Sequence, residues 1–294
     1  MNENLKIVAT SVVEVFGLVA VAFVYARRMK LDLSETLRLA MHIFVPCLAF
    51  SSIVDSRIEA REFAVAAGAT LIQIGAGLLL GWMGLLALGW RARRELLLPI
   101  AFVNSANLPF PLLLTNFGTE GLSRGVLCYT VTNLMIFSVG IVLLHGGGRV
   151  REAMKEPALW ASVLAGIVKI ARIEVPDVVL RVPRLAGMAA VPLMLFLFGD
   201  SLARTRLTTL RPAIAAVLLR YGSGLAGLAL ALWLFRPQGI LRQVLILYAL
   251  LPSAVINVVL TQKAGRDEAS VASAVLLASL ASVVILPVVL ALIR

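Results

Sequence analysis

Seven residues in two short stretches of the chain could bind a polar molecule inside an otherwise apolar protein. They are Asn104, Asn107, Pro109 and Pro111 in the first stretch and Pro252, Ser253 and Asn257 in the second. Each proline lacks a backbone N–H and hinders the turn before it, which leaves helical carbonyls without partners. Free backbone groups, amide side chains and the ends of interrupted helices could together hold a carboxylate. We predict a substrate-binding site at these seven residues.

Three further residues place a charge or an amide within long apolar stretches. Glu14 and Arg220 each lie midway along such a stretch, and Gln73 lies 147 positions before Arg220. Ionisable groups inside a membrane are rare and commonly functional. We predict a charge or proton role for these residues, in which Arg220 could also attract an anion. Glu14 and Arg220 could pair, or each could face a cavity or a backbone group separately.

The composition indicates a protein that lies mostly in lipid. Of its 294 residues, 60% are hydrophobic and 15% are charged, whereas soluble domains have about 45–50% and about 25%. The formal net charge is +11, but the basic residues form short clusters between apolar stretches, as at 91–94 and 204–206. This pattern is typical of loops between membrane spans. It excludes an ordinary soluble enzyme and gives no continuous basic face for nucleic acid.

Ten apolar stretches meet or approach the roughly 20 residues that a helix needs to cross a bilayer. We therefore predict an all-α polytopic membrane protein with ten transmembrane helices and only short loops, the longest at 146–156 and 172–184. The sixth stretch is the shortest. The ten stretches are 5–26, 35–54, 63–89, 96–116, 122–144, 157–171, 185–203, 212–235, 240–262 and 269–293.

Two pairs of similar segments indicate an internal repeat. The segment at 45–56 matches the one at 191–201, and the segment at 114–120 matches the one at 260–268, all at offsets of 145–147. We predict a first five-helix repeat at 1–145, a cytoplasmic linker at 146–156 and a second repeat at 157–294. Because five is odd, the second repeat would be inverted, as in many secondary transporters. The alternative is a coincidence between helices of similar composition.

The prolines interrupt the fourth and ninth stretches, which occupy corresponding places in the two halves. Paired interrupted helices are the best indication in a sequence of a transporter binding site. The alternative is two structural kinks whose asparagines bond between helices.

The same residues resemble a known family. The segment 104–109, followed by Phe117 and Gly118, and Pro252 with Asn257, followed by 265–267, are similar to signatures of the auxin efflux carrier family in the bile acid/auxin carrier-like superfamily. The resemblance implies two inverted five-helix repeats, a scaffold of helices 1, 2, 6 and 7, and a transport domain of helices 3–5 and 8–10. It also implies that broken helices 4 and 9 cross beside the substrate, with Asn107 and Asn257 at the crossing.

We therefore expect a secondary transporter that moves a small organic anion by alternating access. We expect no cofactor, although proton or sodium coupling is left open. The expected partners are the substrate and membrane lipids, with a homodimer through the scaffold helices as a further option. The positive-inside rule favours both termini outside, and we expect a bacterial inner membrane.

Three alternatives remain open from the sequence. A sodium-coupled symporter of the bile-acid type would have the same architecture, and a channel could also contain broken helices. An intramembrane enzyme is disfavoured because the chain contains neither H-E-x-x-H nor G-x-S-x-G. We therefore predict that the protein is not an enzyme.

Overall fold

The computed structural model describes residues 3–29, 33–145 and 156–293. Within these ranges the chain forms helices and no strand, with one isolated antiparallel bridge between Val103 and Ser253. Most of the predicted linker at 146–156 lies outside the described residues. The α-helices are α1 (Glu3–Met29), α2 (Ser34–Leu39), α3 (Val45–Asp55), α4 (Ala60–Ala87), α5 (Leu97–Ala101), α6 (Pro109–Met135), α7 (Ile141–His145), α8 (Pro157–Ile170), α9 (Asp177–Arg204), α10 (Leu210–Phe235), α11 (Gly239–Ala249), α12 (Ile256–Lys263) and α13 (Glu268–Ile293).

Two short π-helical turns join neighbouring helices into longer rods. Ala40–Phe44 connects α2 to α3, and Ile136–Gly140 connects α6 to α7. A 3₁₀ turn at Arg94–Leu96 leads into α5. Helices are the expected element in lipid, since each satisfies its own backbone groups.

Six helical rods in the described ranges are long and apolar enough to cross a membrane. Two shorter apolar helices, α8 and α11, accompany them. The six rods are Ser34–Asp55, Arg61–Ala87, Pro109–Leu144, Asp177–Arg204, Leu210–Phe235 and Glu268–Ile293.

One predicted loop is wrong. The sequence predicts a loop at 172–184, but α9 already begins at Asp177. Charged residues made this segment look like a loop, yet they form ion pairs that suit a helix start. Arg181 Nε lies 3.2 Å from Asp177 Oδ2 one turn away, and Arg184 Nη2 lies 2.7 Å from Asp55 Oδ1 at the end of α3. The helix therefore begins eight residues before the predicted start at 185.

The helices pack in two groups. In one group α1 lies along α9, and α3 packs against α8 and α9. In the other group α4 lies along α10, while α5, α11 and α13 pack around α10. Glycines permit the closest approaches: a Cβ on Gly227 of α10 would lie 2.8 Å from the Cα of Gln73 on α4.

Helices at equivalent positions of the two halves pack antiparallel. Near one end of α4, Gly68 approaches Phe235 of α10, and near the other end Gly84 approaches Leu219. Residue numbers therefore rise along α4 as they fall along α10.

The same arrangement joins α3 and α9. Leu48 lies against Gly187, whereas Asp55, seven residues further along α3, pairs with Arg184, three residues earlier on α9. These helices carry the similar segments at 45–56 and 191–201. Matching segments therefore run in opposite directions here too.

Matching glycines turn the chain 147 positions apart. Gly118 has φ 63° and interrupts α6 so that its first part ends at Phe117, and Gly265 has φ 64° between α12 and α13. Neither position has an atom within 4 Å of where a Cβ would be. The left-handed backbone, which glycine adopts without a steric cost, therefore explains both glycines.

Contacts between the helix ends form two separate sets. In one set Arg124 pairs with Glu62, and the N–H of Arg57 donates to Glu120. In the other set Arg93 lies 3.7 Å from Asp267. The first set joins the segment before α4 to the kink of α6, and the second joins the segment before α5 to the turn between α12 and α13.

Candidate binding site at the helix crossing

Two non-helical segments cross between the helices. Helix α5 ends at Ala101 and α6 begins at Pro109, while α11 ends at Ala249 and α12 begins at Ile256. The segments 102–108 and 250–255 pair antiparallel, with Asn104 N donating to Pro252 O at 2.8 Å and Ala254 N donating to Phe102 O at 3.0 Å. The two breaks therefore hold each other through their backbones.

The sequence explains why helix α6 begins where it does. Pro109 and Pro111 lie in its first turn, where a missing N–H costs nothing because such groups have no partner within the helix. Asn104 closes the preceding turn, since its Oδ1 accepts a hydrogen bond from Asn107 N at 3.1 Å. The amide and the prolines thus fix the end of one segment and the start of the next.

Side chains from the second half satisfy the carbonyls at the end of α5. Asn257 Nδ2 donates to Leu98 O at 3.3 Å and to Phe102 O at 3.0 Å, and Ser253 Oγ donates to Pro99 O. Carbonyls at a helix end lack partners within the regular helix. Leu98 O and Phe102 O also accept from Phe102 N and Ala254 N, so the Asn257 side chain gives each of them a second donor. Asn257 and Ser253 therefore lock the two halves together at the crossing.

Arg220 joins both interrupted helices. Its Nη1 donates to Ile100 O of α5 at 3.0 Å, and its Nη2 donates to Ala249 O at the end of α11 at 2.8 Å. The residue is only 2% exposed. In the described part of the chain, no carboxylate lies within ion-pair distance of it. A full positive charge is thus buried at the crossing against carbonyl groups alone.

Several buried polar atoms at the crossing have no hydrogen-bond partner. They are Asn104 Nδ2, Asn257 Oδ1 and Arg220 Nε. A cavity of about 10 Å³ lies beside Arg220, Gln73 and Tyr248, which is room for about one water molecule. A carboxylate with any substituent would need this region to open.

The structure brings most of the predicted site residues together. Asn104 bonds to Pro252, while Ser253, Asn257 and Arg220 each bond to backbone carbonyls at the ends of the interrupted helices. Asn107, Pro109 and Pro111 lie next to these residues in the chain, and Asn107 is half-buried.

Two predicted charge or proton residues have different surroundings. Gln73 is buried, and its Nε2 donates to Leu245 O of α11 at 3.1 Å, one turn before the bond of Arg220 to the same helix. Glu14 is exposed on α1 and does not contact Arg220. The structure therefore does not bring Glu14 and Arg220 together.

Sequence reasoning missed Tyr248. Its hydroxyl lies 2.7 Å from both Ser105 O and Gly125 O, which joins α11 to the break before α6 and to α6 itself. It is one of only four tyrosines in the chain, and a buried tyrosine in an apolar helix needs a partner for its hydroxyl. A tyrosine within this apolar stretch therefore indicated a buried hydrogen bond between helices.

One buried carboxyl lies outside the crossing, at the corner before α5. Glu95 is 4% exposed, and this burial raises its pKa, against the opposing effects of its own backbone and of Arg266. Asp267 adds to the increase, and Arg93 opposes it. This corner belongs to the same set of helix ends as the Arg93–Asp267 pair.

A larger cavity of about 570 Å³ lies away from the crossing. Its lining is apolar apart from Arg94, whose guanidinium carbon lies 5.7 Å from the centre of the Trp82 ring. This larger space and the polar site therefore do not coincide in this conformation.

A family model described as "Membrane transport protein" matches residues 7–149 and 147–290. The chain belongs to this family. The predicted relation to the auxin efflux carriers is thereby confirmed, and the protein is an integral membrane protein of a family of transporters. The two matched segments divide the chain close to the predicted boundary between its halves.

Two archaeal relatives carry the same general description. A protein of Methanothermobacter thermautotrophicus described as an uncharacterized transporter is 29% identical over 276 residues, 87% of each chain. Another, from Methanocaldococcus jannaschii, is 25% identical over 193 residues, 62% of this chain and 63% of the relative.

Proposed function

We propose that this protein is a secondary transporter that carries a small organic anion by alternating access. The observation that carries the proposal is Arg220, a buried cation at the crossing of two interrupted helices with no carboxylate beside it. A buried charge without a counter-charge is costly, and a bound carboxylate would supply the counter-charge.

The proposal includes ten transmembrane helices in two inverted repeats. Three observations support the inversion: the family model matches two segments, equivalent helices pack antiparallel, and Gly118 and Gly265 turn the chain at matching places. The group of α1, α3, α8 and α9 would be the scaffold. The group of α4–α6 and α10–α13 would be the moving transport domain.

Three amide side chains would orient the substrate. Asn104 Nδ2 is buried without a partner and would donate to the carboxylate, whereas the unpartnered Asn257 Oδ1 would accept from a hydroxyl group of the substrate. The half-buried Asn107 lies three residues after Asn104 in the chain. Few backbone donors of α6 are free, because Pro109 and Pro111 have none and Phe110 N bonds to Ala106 O. Side-chain amides and Arg220 would therefore contribute more to binding than the helix terminus.

A screen of carboxylates tests this function in two steps. Purified protein is first screened by thermal shift against small mono- and dicarboxylates, and any hit is then tested for uptake into proteoliposomes. We expect Asn107→Ala to lower uptake at least tenfold while the protein stays folded. The matched control is Gln243→Ala, since Gln243 is a half-buried amide that bonds to Ile293 O of α13 and to neither broken segment. Equal uptake by both variants and the wild type would refute the site.

A further inference from the structure

Arg220 lies where two helix ends of the same polarity meet. Ile100 O is within the last turn of α5, and Ala249 O is the last carbonyl of α11. The carboxyl end of a helix carries a partial negative charge of up to about half an elementary charge. Because α5 has only five residues, the two ends together supply less than one negative charge and offset the guanidinium only in part.

The net charge around the crossing depends on Arg220. The starts of α6 and α12 carry the opposite partial charge, so the four helix ends cancel approximately. Arg220 then leaves a surplus of about one positive charge at the crossing, enough for a univalent anion. Without Arg220, an anion would need a cation bound with it.

Transporters of this general architecture commonly coordinate a coupling ion with unwound carbonyls and the carboxyl ends of half-helices. In this chain those groups are Ile100 O and Ala249 O, and a side chain already bonds to both. We propose that Arg220 is a resident cation that takes the place of a coupling sodium ion, so that anion transport by this protein requires no sodium. The inference rests on the proposed function and decides one of the alternatives that the sequence left open.

The equivalent position in the other half of the chain, Gln73, indicates that there is one cation site and not two. Gln73, 147 positions earlier, donates to a carbonyl of α11 in the same way but is neutral. Only one of the two related positions therefore carries a charge. It also provides a matched control, because Gln73→Ala removes a buried hydrogen bond at the crossing without removing a cation.

The test measures the unfolding temperature Tm of purified protein without substrate. Wild type, Arg220→Ala and Gln73→Ala are compared in sodium chloride, in choline chloride and in choline chloride with millimolar guanidinium, at equal ionic strength. We expect guanidinium or sodium to raise the Tm of Arg220→Ala by about 3 °C, the shift for an ion at about ten times its Kd. The Tm of the wild type and of Gln73→Ala should not depend on the cation.

A folded Arg220→Ala variant whose Tm responds to neither cation would overturn the inference, and so would a sodium-dependent Tm of the wild type. If Arg220→Ala does not fold, Arg220→Lys and Arg220→Met are compared, since both provide a long unbranched side chain and only lysine keeps the charge. The inference requires a higher yield of folded protein for Arg220→Lys than for Arg220→Met. Equal yields of the two variants would contradict it.

The two proposals fail separately. If no carboxylate is transported, the proposed function fails, yet the Tm comparison still decides the role of Arg220. If the wild type transports a carboxylate only with sodium, the transport function stands and the resident cation is wrong.

Discussion

Asn257 shows how one side chain can both build the crossing and leave a binding group free. Its Nδ2 supports two carbonyls of α5, while its Oδ1 is fully buried without a partner. The sequence predicted that Asn257 matters, because an amide in an apolar stretch is costly unless it is bonded. It could not predict which carbonyls Asn257 would meet, since Leu98 and Phe102 lie more than 150 residues away.

Replacing Asn257 with alanine should damage both stability and transport. Leu98 O and Phe102 O each lose one of two donors, which costs about 0.5–1.5 kcal/mol per bond, and the proposed substrate loses a contact. Thr261→Val is the matched control, because this buried threonine lies one turn further along α12 and bonds only to Asn257 O. We expect a lower Tm and lower uptake for Asn257→Ala, and near wild-type uptake for Thr261→Val. The reverse order would exclude Asn257 from the site.

Glu95 predicts a pH dependence of stability. Burial raises the pKa of Glu95 in the folded protein. The folded protein therefore binds a proton at this carboxyl more tightly than the unfolded chain does. Stability should therefore rise as the pH falls through the raised pKa, until the unfolded carboxyl also protonates near pH 4.3. Glu95→Gln should be more stable than the wild type at neutral pH and should lose this dependence, as measured by Tm from pH 5 to pH 8. Exposed Glu59→Gln is the control and should leave the profile unchanged.

At the scale of elements, the sequence predicted interruptions more reliably than helix starts. Pro109, Pro111 and Pro252 indicated two breaks, because proline removes a donor whatever the tertiary structure is. The start of α9 at Asp177 was missed, because ion pairs with Arg181 and with Arg184 of the same helix make a charged segment compatible with a helix. The antiparallel bridge between the breaks depends on packing between the halves, which local sequence does not encode.

The turn at Gly118 gives an element-scale prediction. Gly118 has φ 63° and ψ −159°, a conformation essentially restricted to glycine, so Gly118→Ala should lower stability by about 1–3 kcal/mol. Gly222 lies within α10, also with no atom near a Cβ, so Gly222→Ala should raise stability by about 0.5–1 kcal/mol. The two variants add the same methyl group, and their Tm values should move in opposite directions. Similar shifts for both would mean that backbone conformation at Gly118 is not limiting.

At the scale of the whole molecule, antiparallel packing between matching helices gives the proposed transport its symmetry. Helices α4 and α10 carry Gln73 and Arg220 at matching positions and run in opposite directions. Such a pair can present the same contacts to either side of a membrane, as alternating access requires. The sequence predicted this arrangement from two matching segments and an odd number of helices per repeat, but the pairing of particular helices came only from the structure.

Inverted topology can be tested by labelling equivalent loops from one side. Arg61 is at the start of α4 and Arg206 precedes α10, and both are exposed. In a variant without Cys47 and Cys128, the chain's only cysteines, each arginine is replaced singly by cysteine in intact cells. With both termini outside, a membrane-impermeant maleimide should label Arg61→Cys and not Arg206→Cys.

Arg236→Cys, at the far end of α10, is the matched control for that experiment. It lies one helix away from Arg206 and should be labelled from outside like Arg61→Cys, while all three variants should react after the cells are permeabilised. Labelling of Arg61→Cys and Arg206→Cys from the same side would rule out the inverted repeat. It would also remove the symmetry on which alternating access through the crossing depends.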